Sequence, residues 1–259
     1  METIKLMLPG ENDFFVEEAY KVFRTNLQFC GQDVKVIEIT SCHENEGKST
    51  VALSVGKSFA SLGKKVLVID ADMRKSVMAG RNTNVLNPSG LSEVLTGIKT
   101  LEDCLYNVEG TSMYLLFAGK YPPNPVELLD GKYFTRLIEK CRQEFDYVLV
   151  DTAPLGLVID AAVIAPVCDG TVLVLGSNHI SYKTAQDVVE QINKSGSKML
   201  GVVRNSSRKT GGGYYRSKYG KYGKYSKYSR YSRYGRYGYG KYSNHVSDKK
   251  SRVEETHQE

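Results

Sequence analysis

The chain has 259 residues, 41% of them hydrophobic and 25% charged, with a formal charge of +6. That length suits one sizeable α/β domain plus a tail and excludes two large enzymatic domains. No apolar run approaches the ~18 residues that cross a bilayer, residues 1–8 lack a signal-peptide core, and five cysteines without a CxxC spacing fit reduced cytosolic thiols.

In chain order, residues 1–33 read as an N-terminal helical segment, and apolar runs then alternate with helical periods over 34–205. Residues 34–40 predict a strand and 48–62 a helix with Val51, Val55, Phe59 and Leu62 on one face. The β-branched run 65–70 predicts a strand ending in acid. A helical stretch follows around 92–95, then a strand at 113–118 and one long amphipathic helix over 126–145. Residues 147–151 form another strand ending in acid. Strands at 171–176 and 199–204 flank a helix over 182–192. Buried strands alternating with helices predict an α/β domain, its mainly parallel sheet flanked by helices on both faces; the motifs below make it a P-loop one. Ligands bind such sheets beyond the carboxyl ends of the strands, which is where Asp70 and Asp151 point.

After a linker over 204–210 the texture changes. The segment 211–243 has no aliphatic residue and cannot bury a core, so 206–259 is expected to be a disordered, tyrosine-rich tail. Between Tyr219 and Tyr237 a tyrosine recurs every third residue, each preceded by Lys or Arg, a period that fits neither helix nor strand. Charge divides along the same line. Residues 1–203 hold 20 Lys+Arg and 25 Asp+Glu, whereas 204–242 hold 12 Lys+Arg and no acid. The basic pI therefore belongs to one segment, and the core is acidic.

Three motifs carry chemistry. Ser41-Cys42-His43-Glu44-Asn45-Glu46-Gly47-Lys48-Ser49-Thr50 lies between a predicted strand and helix. Phosphate binding needs inward-turned N–H groups, a helix N-terminus, a lysine and a hydroxyl for Mg²⁺. Gly47-Lys48-Ser49 supplies the end of such a loop, with Cys42 at the usual first glycine. An ordinary helix start preceded by glycine looks the same when taken alone. His43-Glu44 does not open a zinc-protease HExxH, because Gly47 replaces the second histidine. The second motif, Asp70-Ala71-Asp72-Met73-Arg74, places two carboxylates at a strand end, where they suit a Mg²⁺ ion and an incoming hydroxyl, or a turn. The third, Tyr147–Asp151 followed by Thr152-Ala153-Pro154, has the hydrophobic-strand-then-acid form of a Walker B element.

These segments resemble the Walker A, A′ and B motifs of the bacterial tyrosine kinase family of capsular and exopolysaccharide synthesis. Glu18-Ala19-Tyr20-Lys21-Val22-Phe23-Arg24 is similar to the family's ExxRxxR segment, with Lys21 for the middle arginine. The segments 90–97 and 122–129 resemble two further signatures. Ser76 stands where the family often has proline, and Ala153 replaces a second one. The resemblance covers 13–205, followed by a tyrosine cluster typical of the family.

The resemblance implies a cytoplasmic protein-tyrosine kinase that uses ATP and Mg²⁺. Asn45, Glu46, Gly47, Lys48, Ser49 and Thr50 would bind the nucleotide, with Lys48 on the β- and γ-phosphates. Ser49, Asp72 and Asp151 would organise the metal, and Asp70 would orient or deprotonate the attacking tyrosine. Asn205 is expected either to contact the base or to cap a loop. The expected phosphoacceptors are Tyr214, Tyr215, Tyr219, Tyr222, Tyr225, Tyr228, Tyr231, Tyr234, Tyr237, Tyr239 and Tyr242, modified in trans. Glu18, Lys21 and Arg24 would sit in the interface of a homo-oligomeric ring, an octamer among its sizes; lysine lacks arginine's bidentate fork there. Implied partners are a separate transmembrane activator or polysaccharide co-polymerase that holds the kinase at the inner face of the membrane, protein tyrosine substrates, and a phosphotyrosine phosphatase. No nucleic acid is expected. Two other readings compete. One is a MinD/ParA-type regulatory ATPase, whose loops carry an early lysine where this chain has His43. The other is an RNA-binding tail, since Arg, Tyr and Gly combine charge with stacking.

Overall fold

The structure is a computed structural model, and it describes residues 1–176 and 180–205. An eight-stranded sheet organises it, in the order β1-β4-β5-β3-β6-β2-β7-β8. The strands are β1 (Glu2–Ile4), β2 (Val36–Ser41), β3 (Val66–Asp70), β4 (Leu105–Val108), β5 (Met113–Leu116), β6 (Tyr147–Asp151), β7 (Gly170–Gly176) and β8 (Met199–Asn205). All pairings are parallel except β4 with β5, so β1 and β4 run against the other six.

The central strands are buried on both faces, β3 and β6 as apolar runs and β2 with Glu38 and Thr40 among its apolar residues. Every residue of β2 and β3 is buried. Alternate side chains go to opposite faces. Val66 and Val68 join a core with Val51, Leu53, Val55 and Phe59 of α2 (Lys48–Ala60). Leu67 and Ile69 join a second core with Phe134, Leu137, Ile138 and Cys141 of α7 (Lys132–Glu144). Helix α2 is buried over most of its surface because α1 (Phe14–Phe29) packs against it on the side away from the sheet. Phe59 of α2 also stacks on Tyr147 at 3.9 Å between ring centroids. Residues 1–33 thus supply β1 and α1 to the same body as the sheet. A third cluster, with Val188 and Ile192 of α9 (Tyr182–Lys194), packs on Leu173.

One expectation is corrected. The helix predicted over 126–145 is two helices, α6 (Pro125–Leu129) and α7. Gly131 between them is extended (φ −73°, ψ 151°), and a Cβ there would lie 3.2 Å from the Glu127 carbonyl oxygen. The break lets α6 bury Pro125 and Leu129 while α7 turns a separate apolar stripe to the sheet. The short helices α3 (Met78–Asn82), α4 (Leu91–Leu95), α5 (Leu101–Cys104) and α8 (Asp160–Ile164) complete the described residues with a single 3₁₀ turn at Ala165–Val167. No described helix is long and apolar enough to cross a membrane. The expected tail, its linker after Asn205 and all eleven acceptor tyrosines lie outside the described residues.

Candidate active site

The carboxyl ends of β2, β3 and β6 meet at one point of the sheet edge, and each carries one of the motifs. From β2 the chain turns through 42–47 into the N-terminus of α2, where Gly47 takes a left-handed conformation (φ 86°). A Cβ on Gly47 would sit 2.0 Å from Asn205 Nδ2, so the left-handed glycine leaves room for the Asn205 side chain against the loop. Asn205 Nδ2 donates to the Glu46 carbonyl oxygen at 2.9 Å. The Glu46 carboxylate braces the loop from within, accepting from His43 N (2.8 Å) and Gly176 N (3.1 Å). Cys42, at the first-glycine position, is fully buried, and Gly156 lets the segment after β6 press against it.

Asp70 and Asp151 are direct partners in the β3–β6 register, and both are 1% exposed. Lys48 Nζ bonds Asp72 Oδ2 at 3.1 Å. Burial works against the Lys48 charge, but Asp151, Asp72 and Asp70 outweigh it and raise its pKa. Burial, then the charge of Asp151, raises the Asp70 carboxyl, and a hydrogen bond from Ser76 Oγ partly restrains the rise. Ser76, which reads in the sequence as a missing proline, therefore adds a hydrogen bond to Asp70. Asp70 Oδ1 also accepts from Asp72 N at 3.2 Å. Burial raises the Asp151 carboxyl as well, against the pull of Lys48 and the nearby Ser49 hydroxyl. Neither Asp151 oxygen has a hydrogen-bond partner of good geometry.

Three aspartates around one lysine leave an uncompensated negative charge in a buried place. Such a set fits a divalent cation. Mg²⁺ takes one or two carboxylates, a hydroxyl and substrate phosphates rather than a full protein cage. Among the described residues, moreover, no cluster of three metal-ligating side chains forms a cage. Asp72, the unpartnered Asp151 and Ser49 are the groups that would hold it.

A cleft opens above these groups, lined by Asn45, Gly47, Lys48, Ser49, Thr50 and Asp72 among others. Its lining includes Arg74, fixed in a fork to Asp160 at 2.8 and 3.0 Å. Asp160 is fully buried, and nothing in its apolar surroundings marks it in the sequence. Glu18, Lys21 and Arg24 lie on α1 and do not line the cleft. Lys21 pairs with Glu18 at 2.7 Å on the exposed face, whereas Arg24 turns inward to the Ser58 carbonyl oxygen of α2, also at 2.7 Å.

A parallel sheet with a phosphate loop after one strand and acids at the ends of two others defines a P-loop nucleotide-binding protein. Residues 34–200 match the family model described as "AAA domain". The chain is 43% identical over 189 residues to "Tyrosine-protein kinase CpsD" of Streptococcus agalactiae, covering 73% of this chain and 82% of that protein. It is 36% identical over 208 residues to "Tyrosine-protein kinase YwqD" of Bacillus subtilis, covering 78% and 86%. Among solved structures it resembles the kinase domain of the Escherichia coli tyrosine kinase ETK, with TM-score 0.69, 29% identity, and 76% and 78% of the two chains covered. The chain belongs to the bacterial tyrosine-protein kinase family. The MinD protein of Pyrococcus horikoshii, solved with Mg-ADP, shares the fold at TM-score 0.56 and 24% identity, covering 68% and 72%.

Proposed function

We propose that this kinase transfers the γ-phosphoryl group of ATP, with Mg²⁺, to the tyrosines of its own tail in trans, and that it thereby regulates capsular or exopolysaccharide synthesis and export. The observation that carries this reading is the buried group Lys48, Asp70, Asp72 and Asp151 beneath a phosphate loop. Phosphoryl transfer asks the protein for positioning and charge stabilisation rather than covalent chemistry. Mg²⁺ would neutralise charge on the phosphates. Lys48, now on Asp72, moves to the β- and γ-oxygens. Asn205, which caps the loop through the Glu46 carbonyl oxygen, would contact the base from there. Asp70, whose raised pKa suits proton acceptance near neutrality, orients the acceptor hydroxyl and takes its proton as the new P–O bond forms and the bond to ADP breaks. The eleven tail tyrosines are the proposed acceptors. Glu18, Lys21 and Arg24 are proposed for the interface of a ring; Arg24 would act there by fixing α1 on α2.

The MinD/ParA-type reading is disfavoured by the kinases in the chain's kinship and by His43 in place of the early lysine. The further proposals are a cytoplasmic location at the membrane's inner face through a transmembrane partner, and reversal by a phosphotyrosine phosphatase. Incubation of purified protein with ATP and Mg²⁺, followed by phosphotyrosine detection, tests the central claim. Wild type should label and Lys48→Met should not, with its fold intact by circular dichroism. Full signal in the mutant would remove the phosphate-loop assignment.

A further inference from the structure

We propose that Arg81 is a further phosphate-binding residue, taking a non-bridging oxygen of the diphosphate that ADP and ATP share; this rests on the nucleotide-site reading above. Four cationic side chains line the cleft: Lys48, Arg74, Lys75 and Arg81. Three of them are committed to carboxylates. Lys48 holds Asp72 at 3.1 Å, Arg74 forks onto buried Asp160, and Lys75 reaches Glu44 at 2.6 Å. Arg81 is different. Its two terminal nitrogens donate to a neutral acceptor, Asn45 Oδ1, at 3.3 and 3.4 Å, the long end of hydrogen bonding.

The backbone beneath it is held firmly. Met78, Asn82 and Thr83 are buried. Met7 N donates to the Asn82 carbonyl oxygen at 2.7 Å, and Asn82 Nδ2 returns a bond to the Met7 carbonyl oxygen at 3.2 Å. Arg81 N donates to the Val77 carbonyl oxygen at 2.9 Å. An exposed guanidinium thus projects from a fixed segment into the cleft, weakly engaged and ready to exchange a neutral oxygen for a charged one. Phosphate is the acceptor that suits its planar fork, through shorter, charge-assisted bonds. The position favours the shared diphosphate. Asn45 belongs to the loop, and Thr50, which lines the same region, belongs to the first turn of α2, whose N–H groups face that part of a nucleotide. The loop itself, residues 41–50, contributes only Lys48 as a cation.

Calorimetric titration of Mg-ADP and Mg-ATPγS into the full-length protein tests this. Arg81→Gln should weaken both ligands about tenfold or more, the range of one lost charge-assisted contact. Arg81→Lys, which keeps the charge and loses the fork, should fall between it and wild type. Unfolding temperature without ligand should match wild type in both variants, since Arg81 is exposed. Affinities within about twofold of wild type for both ligands in Arg81→Gln would overturn the proposal, and Arg81 would then be a surface brace for Asn45. A loss confined to the triphosphate would overturn the diphosphate assignment. Failure of wild type to bind either nucleotide would strike the nucleotide-site reading itself.

Discussion

At the scale of single residues, the site holds unfavourable electrostatics that a bound cation would relieve. Asp151 lies buried beside Asp70 without a hydrogen-bond partner for either oxygen, and a buried charge that Lys48 offsets only in part destabilises the fold that carries it. Groups held this way mark active sites, where stability is given up for function. Asp151→Asn should therefore separate the two properties. It removes the charge that helps raise Asp70, so metal-free protein should melt at the same temperature as wild type or higher. Tyrosine phosphorylation should meanwhile fall by about a hundredfold or more, the scale of losing one preorganised charge contact in a transition state. A mutant that unfolds well below wild type would mean that Asp151 serves the fold instead.

Among the elements, Glu38 of β2 shows how a buried group ties a strand pairing to pH. Its Oε2 accepts from Thr171 Oγ1 of β7 at 2.6 Å, and Oε1 has no partner. Burial pushes its carboxyl from 4.5 up to about 8, with Thr171 only partly offsetting the rise. The folded chain therefore keeps a proton that the unfolded chain releases above pH 4.5. Its stabilisation is full below that value and is lost as pH rises towards about 8, at up to ~1.4 kcal/mol per pH unit. Glu38→Gln stays neutral, so denaturant unfolding at pH 5.5 and 8.5 should show the mutant gaining on wild type at the higher pH. Parallel losses in both proteins would end the idea.

The same scale explains what the sequence made legible. Strands β3 and β6 were readable because an apolar run closed by acid has few other uses, and β2 because the glycine-lysine-serine turn marked the step from a strand to a helix. The break at Gly131 was hidden because apolar spacing continues across it. Strands β1 and β4, of three and four residues, were too short for any period. In the site, the motif residues were visible but their braces were not. Asp160 serves an arginine 86 positions away, and Glu46 serves a strand end 130 positions away. Such partnerships exist only once the sheet is assembled. Ser76 carried a signal, a hydroxyl just past the aspartate pair, that its role as a substitution for proline obscured.

For the whole molecule, the first question is which chain's tail enters which site. The mixture that decides it combines Lys48→Met protein with its tail and active protein truncated after Arg208. Transfer in trans should place phosphate on the inactive chain; an unlabelled inactive chain, under conditions where wild type labels, would show transfer in cis.

The second question is what accumulated phosphate does. Residues 204–242 carry +12 and residues 1–203 carry −5. Before modification, Coulomb attraction should draw the tails of one copy towards the acidic core of another. Exposed charges feel each other over only ~8 Å at physiological salt, so this attraction should weaken as salt rises. Each phosphotyrosine adds about −1.5 to −2 charges, and roughly six to eight of them cancel the tail's excess. Eleven tyrosines are present. Past the cancelling number, tail and core share a sign and assembly should loosen. The even spacing suits this graded response, because no single tyrosine need be special. Light scattering of unmodified and extensively phosphorylated protein, at low and moderate salt, should show larger assemblies in the unmodified protein and a difference that shrinks with salt. Equal masses in both states at every salt concentration would show that tail charge does not govern oligomerisation.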